Sequence, residues 1–420
     1  MRKKVWIMNH YATNMFYDEG GRHHWFAKNL QIEGYEPVIF CANTLHNSLD
    51  VINTNGIYKE DSSEGVPYVF VKTTSATGNG LARVKNMALF AWNLKRVARK
   101  YAKRHGKPDM ILASSVHPLT LVAGILIGKK LNVPVICEVR DLWPEAIFAF
   151  DKAKEKSLVG RLLTAGEYWI YRKADALIFT KEGDTDYLIE KKWDTPQGGK
   201  INLQKAFYIN NGVDIYRFNK SIENNILEDD DLLSSKFTVT YVGAIRPVNN
   251  VENLVHTAEI LKENNDIDFI IYGDGIHRPI LEKYIDEHNL SNVKLKGFVN
   301  KKFIPFILSK SNLNILNYSS EKYNWSRGNS SNKLFEYMAS GKPVISTAKM
   351  GYSIINKYSC GSELEENTPD ELANAILYFK NLPKNEYNTY RINAKDGVKD
   401  FDFKVLTKKL IDVIESTNKQ

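Results

Sequence analysis

Short apolar runs, each leading into a polar or glycine-bearing turn and then a longer amphipathic stretch, recur along this chain and start afresh near residue 215. Parallel strands need a crossover long enough to hold a helix, so this rhythm predicts parallel sheets flanked by helices. In the first half the strand-like runs are Lys4-Val-Trp-Ile-Met8, Pro37-Val-Ile-Phe40, Met110-Ile-Leu-Ala113, Pro134-Val-Ile-Cys137, Ala176-Leu-Ile-Phe179 and Lys205-Ala-Phe-Tyr-Ile209. In the second half they begin at Lys236, Asp268, Val293, Leu313 and Pro343. The predicted fold class is α/β, with two Rossmann-like domains at 1–212 and 213–395, and residues 396–420 forming a C-terminal helix that packs back on the first. The boundary falls near the acidic Glu228-Asp-Asp-Asp231 segment, which reads as a solvated loop.

The segment Arg327-Gly-Asn-Ser-Ser-Asn-Lys-Leu-Phe-Glu-Tyr-Met338 predicts a short helix capped by Ser330 or Ser331 and stopped by Gly341 and Pro343. Its first turn carries no Asp or Glu, so the free N–H groups and the positive end of the dipole remain open to an anion. Glu336 lies about 6 Å further along the axis, where it would meet hydroxyls attached to an anion held at Asn332 and Lys333. An ordinary Ser-capped helix with a solvated Glu is the alternative.

Two polar clusters stand at predicted carboxyl ends of strands in the first half, the edge at which open α/β sheets bind ligands. One is Ser114-Ser-Val-His-Pro118, extended by Leu119, and the other is Glu138-Val-Arg-Asp-Leu-Trp-Pro144, extended by Glu145. The second carries Arg140, Asp141 and Glu145, which are ligand-binding candidates by position, or else hold an Arg–Asp pair that fixes the loop. Gly20-Gly21 follows the first strand and precedes a helix from Arg22, a nucleotide-type opening that lacks the third glycine of the dinucleotide fingerprint. His23 and His24 sit in that helix's first turn.

With 57 Lys+Arg against 49 Asp+Glu, a net charge of +8 points to anionic partners. Three scattered cysteines build neither a disulfide framework nor a zinc site and fit a reducing cytoplasm. No run is long enough for a membrane span, and no nucleic-acid-binding motif supports a nucleic-acid partner. From 81 to 107 the sequence predicts an amphipathic helix with Val84, Met87, Ala91, Leu94, Ala98 and Tyr101 as its apolar stripe. Trp92 falls among Lys85, Arg96, Arg99 and Lys103, so this face would contact an anionic membrane peripherally, or is simply solvated.

Taken with Asn211-Gly-Val-Asp214, Gly273-Asp-Gly275 and Ser331-Asn-Lys-Leu-Phe-Glu-Tyr-Met338, the two strand-end clusters resemble a GT-B glycosyltransferase of the large retaining family four. The resemblance runs from end to end and leans toward bacterial surface-polysaccharide members similar to amino-deoxysugar transferases. It implies two domains facing across a cleft, a UDP-type nucleotide-sugar donor held by the second domain, and a glycan or polyprenyl-diphosphate-linked glycan acceptor held by the first, in capsule or O-antigen synthesis.

By the same resemblance Gly20, Gly21, Gly243, Gly273, Asp274, Ser331, Asn332, Lys333, Leu334 and Glu336 would hold the donor. Arg140, Asp141, Glu145 and His24 would hold the acceptor, and His117, Asp141, Arg246 and Glu336 would carry the chemistry. No cofactor or metal is expected. Two departures stand out: Gly328 replaces the earlier carboxylate that normally contacts the donor sugar, and Ala244 and Asn249 replace the usual Arg and Lys near the diphosphate, leaving Arg246 and Lys333 as substitutes. A non-hydrolysing nucleotide-sugar epimerase, which shares this architecture, is the competing expectation.

Overall fold

In a computed structural model, the structure describes residues 2–45, 48–78, 80–115, 117–149, 154–319 and 324–418. The chain divides into two compact units, one of Met1–Asn210 with Phe403–Gln420 and the other of Asn211–Asp402. Val116, inside one quoted cluster, lies outside the described residues.

The first unit is built on an eight-stranded sheet: β1 (Lys4–Met8), β2 (Glu36–Ala42), β3 (Tyr58–Ser63), β4 (Val66–Val71), β5 (Met110–Ser115), β6 (Val135–Val139), β7 (Ala176–Phe179) and β8 (Ala206–Tyr208). Their order is β3-β4-β2-β1-β5-β6-β7-β8, parallel throughout except for the β3–β4 hairpin. The hairpin was not foreseen, although its two-residue turn is legible in Glu64-Gly65. Both residues have positive φ, 47° and 80°, as the turn that matches strand twist requires.

Strands buried on both faces need helices close against them, and small residues permit this. A Cβ on Gly124, in the Pro118–Leu131 helix, would stand 2.6 Å from the Ala113 Cβ of β5. On the other face Phe403, Leu406, Leu410 and Val413 of the terminal Phe403–Thr417 helix share a core with Phe26 and Leu30 of the Arg22–Ile32 helix. Residues 396–402, expected with that terminal helix, instead belong to the second unit, because the Lys384–Gly397 helix runs through Gly397.

The long helix spans Leu81–His105, but the predicted stripe is displaced at its start. Val84 is 57% exposed, while Phe90, Leu94, Val97, Ala98 and Tyr101 are buried. In the first turn Arg83 is buried instead, donating to Gly78 O at 2.6 Å and Tyr11 Oη at 3.2 Å. Trp92 is 60% exposed, with Lys95 Nζ 5.0 Å from its ring centroid. No helix among the described residues is long and apolar enough to cross a membrane.

The second unit carries six parallel strands, β9 (Phe237–Val242), β10 (Ile267–Tyr272), β11 (Val293–Gly297), β12 (Leu313–Leu316), β13 (Val344–Ser346) and β14 (Gly361–Glu363), in the order β11-β10-β9-β12-β13-β14. The side on which the chain adds successive strands switches between β9 and β12, and in the first unit between β1 and β5, while the strands stay parallel. At such switch points the loops leaving adjacent strands diverge and open a crevice. The acidic boundary segment is not the solvated loop expected of it: Asp229 accepts from Lys296 Nζ at 2.7 Å and Tyr272 Oη at 2.5 Å, pinning the segment to the sheet.

Because the Gly124 contact leaves no room, Gly124→Val should overpack the β5 face and cost about 1–3 kcal/mol. A lower urea midpoint at unchanged slope would show it; an unchanged midpoint would refute the contact.

Candidate functional site

At the switch point of the second sheet, β9 ends in Gly243 and β12 in Asn317 and Tyr318. The loops are tied to each other: Asn317 Nδ2 donates to Asn250 O at 2.6 Å, and Ser319 N to Val248 O at 2.9 Å. The Asn332–Ala339 helix begins beside them, with Ser331 at its N-cap. The Ser331 side chain makes no capping bond; its hydroxyl is engaged by the Tyr318 phenol. With no acidic residue in the first turn, the positive end of this helix is left open to an external anion.

Lys333 projects into the same place. Its Nζ lies 3.4 Å from Tyr241 Oη and over the faces of Tyr241 and Tyr318, at 4.9 and 5.2 Å from their centroids. Burial brings the ammonium down to about 8, with only the Glu336 charge opposing the shift. A Cβ on Gly243 would stand 3.0 Å from that ammonium, so only glycine keeps the space beside it open. Glu336, half-buried one turn on, is itself raised by burial, against the charges of Lys301 and Lys333. Arg246 is exposed on the loop after Ile245, where its charge acts on the Tyr241 phenol.

Gly273 has a different reason for being glycine. Its Cβ would collide with Gly243 O, since the backbone ladder continues past the strands through Gly243 N to Tyr272 O and Ile245 N to Asp274 O, both 2.9 Å. Asp274 is exposed, and its carboxylate accepts from Gly275 N at 2.7 Å. Leu334 is buried in the core beneath the helix. At Gly328 φ is +95° and a Cβ would lie 3.3 Å from Gly351 O, so the backbone itself disfavours a carboxylate side chain there.

In the first unit the switch point holds His117, at the N-cap of the Pro118–Leu131 helix, with its Nε2 2.6 Å from His10 Nδ1. Burial drives His117 down to about 3, so it is neutral at physiological pH. Arg140 is half-buried and donates its backbone N–H to Ser115 Oγ at 3.0 Å; Asp141 is exposed and Glu145 half-buried.

Asp141, Trp143, Pro144, Leu162 and Trp169 help line a largely apolar cavity of about 250 Å³ with Glu167 on its wall. Burial lifts the Glu167 carboxyl to about 7 although Tyr171 and Tyr187 both donate to it at 2.6 Å.

His24 is not at a surface as expected. It is fully buried with Nδ1 3.1 Å from Tyr68 Oη, because the first turn of its helix is inserted into the core. The glycine loop is likewise filled from within: a Cβ on Gly20 would meet Trp25 at 3.1 Å, and one on Gly21, whose φ is +109°, would meet Met15 at 3.0 Å.

Sequence reasoning missed a buried polar centre in the first unit. Glu138 accepts from Arg22 Nε at 2.9 Å, Ser114 Oγ at 2.9 Å and His23 Nε2 at 3.1 Å. Asn9 Nδ2 donates to His23 Nδ1 at 2.8 Å, which places the His23 proton on Nε2, facing Glu138. Burial would raise Glu138, but Arg22 and His23 hold it well below the carboxylate range, while burial keeps His23 neutral. A Glu as the fourth residue of an otherwise apolar strand was the available signal.

Two parallel-sheet α/β units with ligand-competent switch points define the GT-B class. In comparisons with known proteins, residues 22–197 match the glycosyl transferase 4-like domain and residues 224–397 the glycosyl transferases group 1 model. The chain therefore combines a glycosyl transferase 4-like domain with a group 1 domain. Among curated proteins it is 37% identical over 86 residues to the alpha-D-kanosaminyltransferase of Streptomyces kanamyceticus, across 20% of this chain and 22% of that one. It is 31% identical over 121 residues to the 2-deoxystreptamine N-acetyl-D-glucosaminyltransferase of Niallia circulans, across 28% of this chain and 29% of that one. These alignments thus span less than a third of either relative.

Similar solved structures include sucrose-phosphate synthase from Thermosynechococcus elongatus, at 16% identity and TM-score 0.69 over 99% of both chains. Anabaena HepE in complex with UDP-glucose aligns at 15% identity and TM-score 0.65 over 99% of this chain and 100% of that one. The two matching domain models are both glycosyl transferase models, and the epimerase alternative is not supported.

Two outcomes follow. Anion affinity of the second unit should be full below pH 8 and fall as pH rises through about 8, where Lys333 loses its proton, by up to roughly tenfold per unit. Lys333→Arg should flatten that profile in a UDP titration. Glu138→Ala, which strands the buried Arg22 charge, should cost about 3–5 kcal/mol in urea unfolding.

Proposed function

We propose that this protein is a retaining glycosyltransferase that moves a sugar from a UDP-linked donor to a glycan or lipid-linked glycan acceptor in bacterial surface-polysaccharide synthesis. The observation that carries the reading is Lys333, an ammonium not ion-paired with a carboxylate among the described residues, beside the open space at Gly243 and the uncapped Asn332–Ala339 helix. A diphosphate would supply the missing negative charge, receiving N–H groups at Asn332 and Lys333 and the Lys333 ammonium. Glu336 would accept from the ribose hydroxyls, and Arg246 would add charge from the exposed loop. Gly243 contributes by lacking a side chain.

The acceptor belongs to the first unit, where Arg140, Asp141 and Glu145 would orient its polar groups. The apolar cavity beside Asp141 suits a hydrophobic part of such an acceptor. His117, neutral at working pH, would hydrogen-bond the donor sugar or phosphate without competing for the proton.

In the reaction the acceptor oxygen bonds to the anomeric carbon on the face from which the nucleoside diphosphate departs, and the bond from that carbon to the β-phosphate oxygen breaks. The acceptor proton passes to the leaving phosphate, so configuration is retained. Lys333, Arg246 and the helix amides stabilise the charge that grows on the diphosphate. In this reading they do so without a metal, and excess EDTA should leave turnover unchanged. The basic helix with Trp92 would seat the protein peripherally at the inner face of an anionic membrane, in the cytoplasm.

The test is incubation with UDP-sugars and candidate acceptors, with anomeric configuration read by NMR; a product of inverted configuration would overturn retention. Lys333→Ala should weaken UDP roughly ten- to a hundredfold. Glu336→Gln should weaken UDP but leave 2′,3′-dideoxy-UDP unaffected, and equal losses for both would remove the ribose role.

A further inference from the structure

The second sheet has an unexplained feature at the edge opposite Gly243. Lys310 closes the Ile304–Lys310 helix before β12, and Lys342 stands just before β13. Both therefore lie at the amino ends of their strands. Gly341 ends the Asn332–Ala339 helix, and eight residues separate it from Lys333, about 12 Å along the axis.

Cations crowd around this point. The stem of Lys395 crosses Gly341, where a Cβ would meet its Cγ at 3.0 Å and its Cδ at 3.1 Å. Arg391 Nε donates to Gly341 O at 3.3 Å, and its Nη1 to Asn388 Oδ1 at 3.0 Å. Lys342, half-buried, feels the charges of Arg391, Lys395 and Lys310 together and is lowered by burial and by these three to about 8. The adjacent Asp396 is occupied by Lys399 at 2.7 Å, and none of the four cations is ion-paired with a carboxylate among the described residues.

Helix ends alone do not account for this. Three helices end among these residues, at Lys310, Ala339 and Gly397, each presenting roughly half a negative charge, and Arg391 already serves one of the carbonyls. Four full charges against three halves leave an excess of about +2.5. Like charges are held together at a cost unless something of opposite sign completes the cluster.

We infer that Lys310, Lys342, Arg391 and Lys395 form a binding site for a phosphate-class oxyanion, distinct from the donor site and independent of the proposed transferase reading. The Arg391 N–H groups that Gly341 and Asn388 leave over, together with the Lys ammonium groups, match phosphoryl oxygens in charge and donor type. The anion is either free or carried on a lipid headgroup.

The experiment uses the full chain carrying Lys333→Ala, so that phosphate at the donor site does not contribute, and compares thermal unfolding in pyrophosphate with sodium chloride of equal ionic strength. Pyrophosphate should raise Tm and chloride should not. Adding Lys342→Gln and Lys395→Gln should raise Tm in ligand-free buffer by relieving repulsion, and weaken pyrophosphate roughly tenfold or more. Lys310→Gln alone, on an exposed helix end, should weaken it in the same direction.

An equal shift with chloride, or a pyrophosphate shift that survives in the Gln variants, overturns the site. So does a lower ligand-free Tm in the Gln variants with no change in pyrophosphate affinity, the mark of purely structural caps. Co-sedimentation with phosphatidylglycerol vesicles but not phosphatidylcholine, lost in the Gln variants, assigns the anion to a lipid; a pyrophosphate shift without co-sedimentation assigns it to a free anion.

Discussion

Burying an ammonium against two phenol rings disfavours its charged form, and for Lys333 only the more distant Glu336 charge offsets this, with no ion-paired carboxylate among the described residues. The surroundings are arranged around that cost. Tyr241 is fixed by donating to Ala244 O and accepting from Asn249 Nδ2, both at 2.9 Å, and Tyr318 by its contacts with Asn329 and Ser331. These bonds orient the ring faces toward the lysine, and cation–π attraction recovers part of the lost hydration. An incoming dianion would recover more, so the free site is poised in favour of anion binding before any ligand contact is counted.

The first unit handles buried charge in the opposite way. Glu138 is saturated by Arg22, His23 and Ser114, and Arg22 also donates to Ile209 O at 2.9 Å and Asn210 O at 2.5 Å. The network joins β5, β6, the Arg22–Ile32 helix and the chain leaving β8, four elements separated in sequence. Its members have no charge left over for a ligand. One unit thus completes its electrostatics internally and the other leaves them incomplete, which is the physical distinction between a structural centre and a site.

Most strands were legible because a parallel strand buried on both faces is a continuous apolar run, and Ala176–Phe179 coincides with its predicted limits. The glycine at Gly243 and the open helix at Asn332 were also legible, since an absent side chain and an absent acid are written in the sequence. The fate of His24 and Glu138 was not. Whether a polar residue on a helix turn or strand faces solvent depends on which neighbour covers it, and those neighbours, Tyr68 and Arg22, are distant in the chain. The same holds for Lys342, an unremarkable lysine after Gly341 until Arg391 and Lys395 fold against it.

Gly328 shows how a departure from a family pattern propagates. Its positive φ brings the backbone against Gly351, whose own Cβ would collide with Ser326 O, so two segments touch where side chains are excluded from both. The loop that supplies Gly351 is held from below by Glu363, which accepts from Ser353 Oγ at 2.7 Å and Met350 N at 3.3 Å. A carboxylate at this corner therefore serves to shape the loop, and burial keeps Glu363 above its usual range. Restoring a glutamate at position 328 would have to displace the 351 loop before it could reach a ligand.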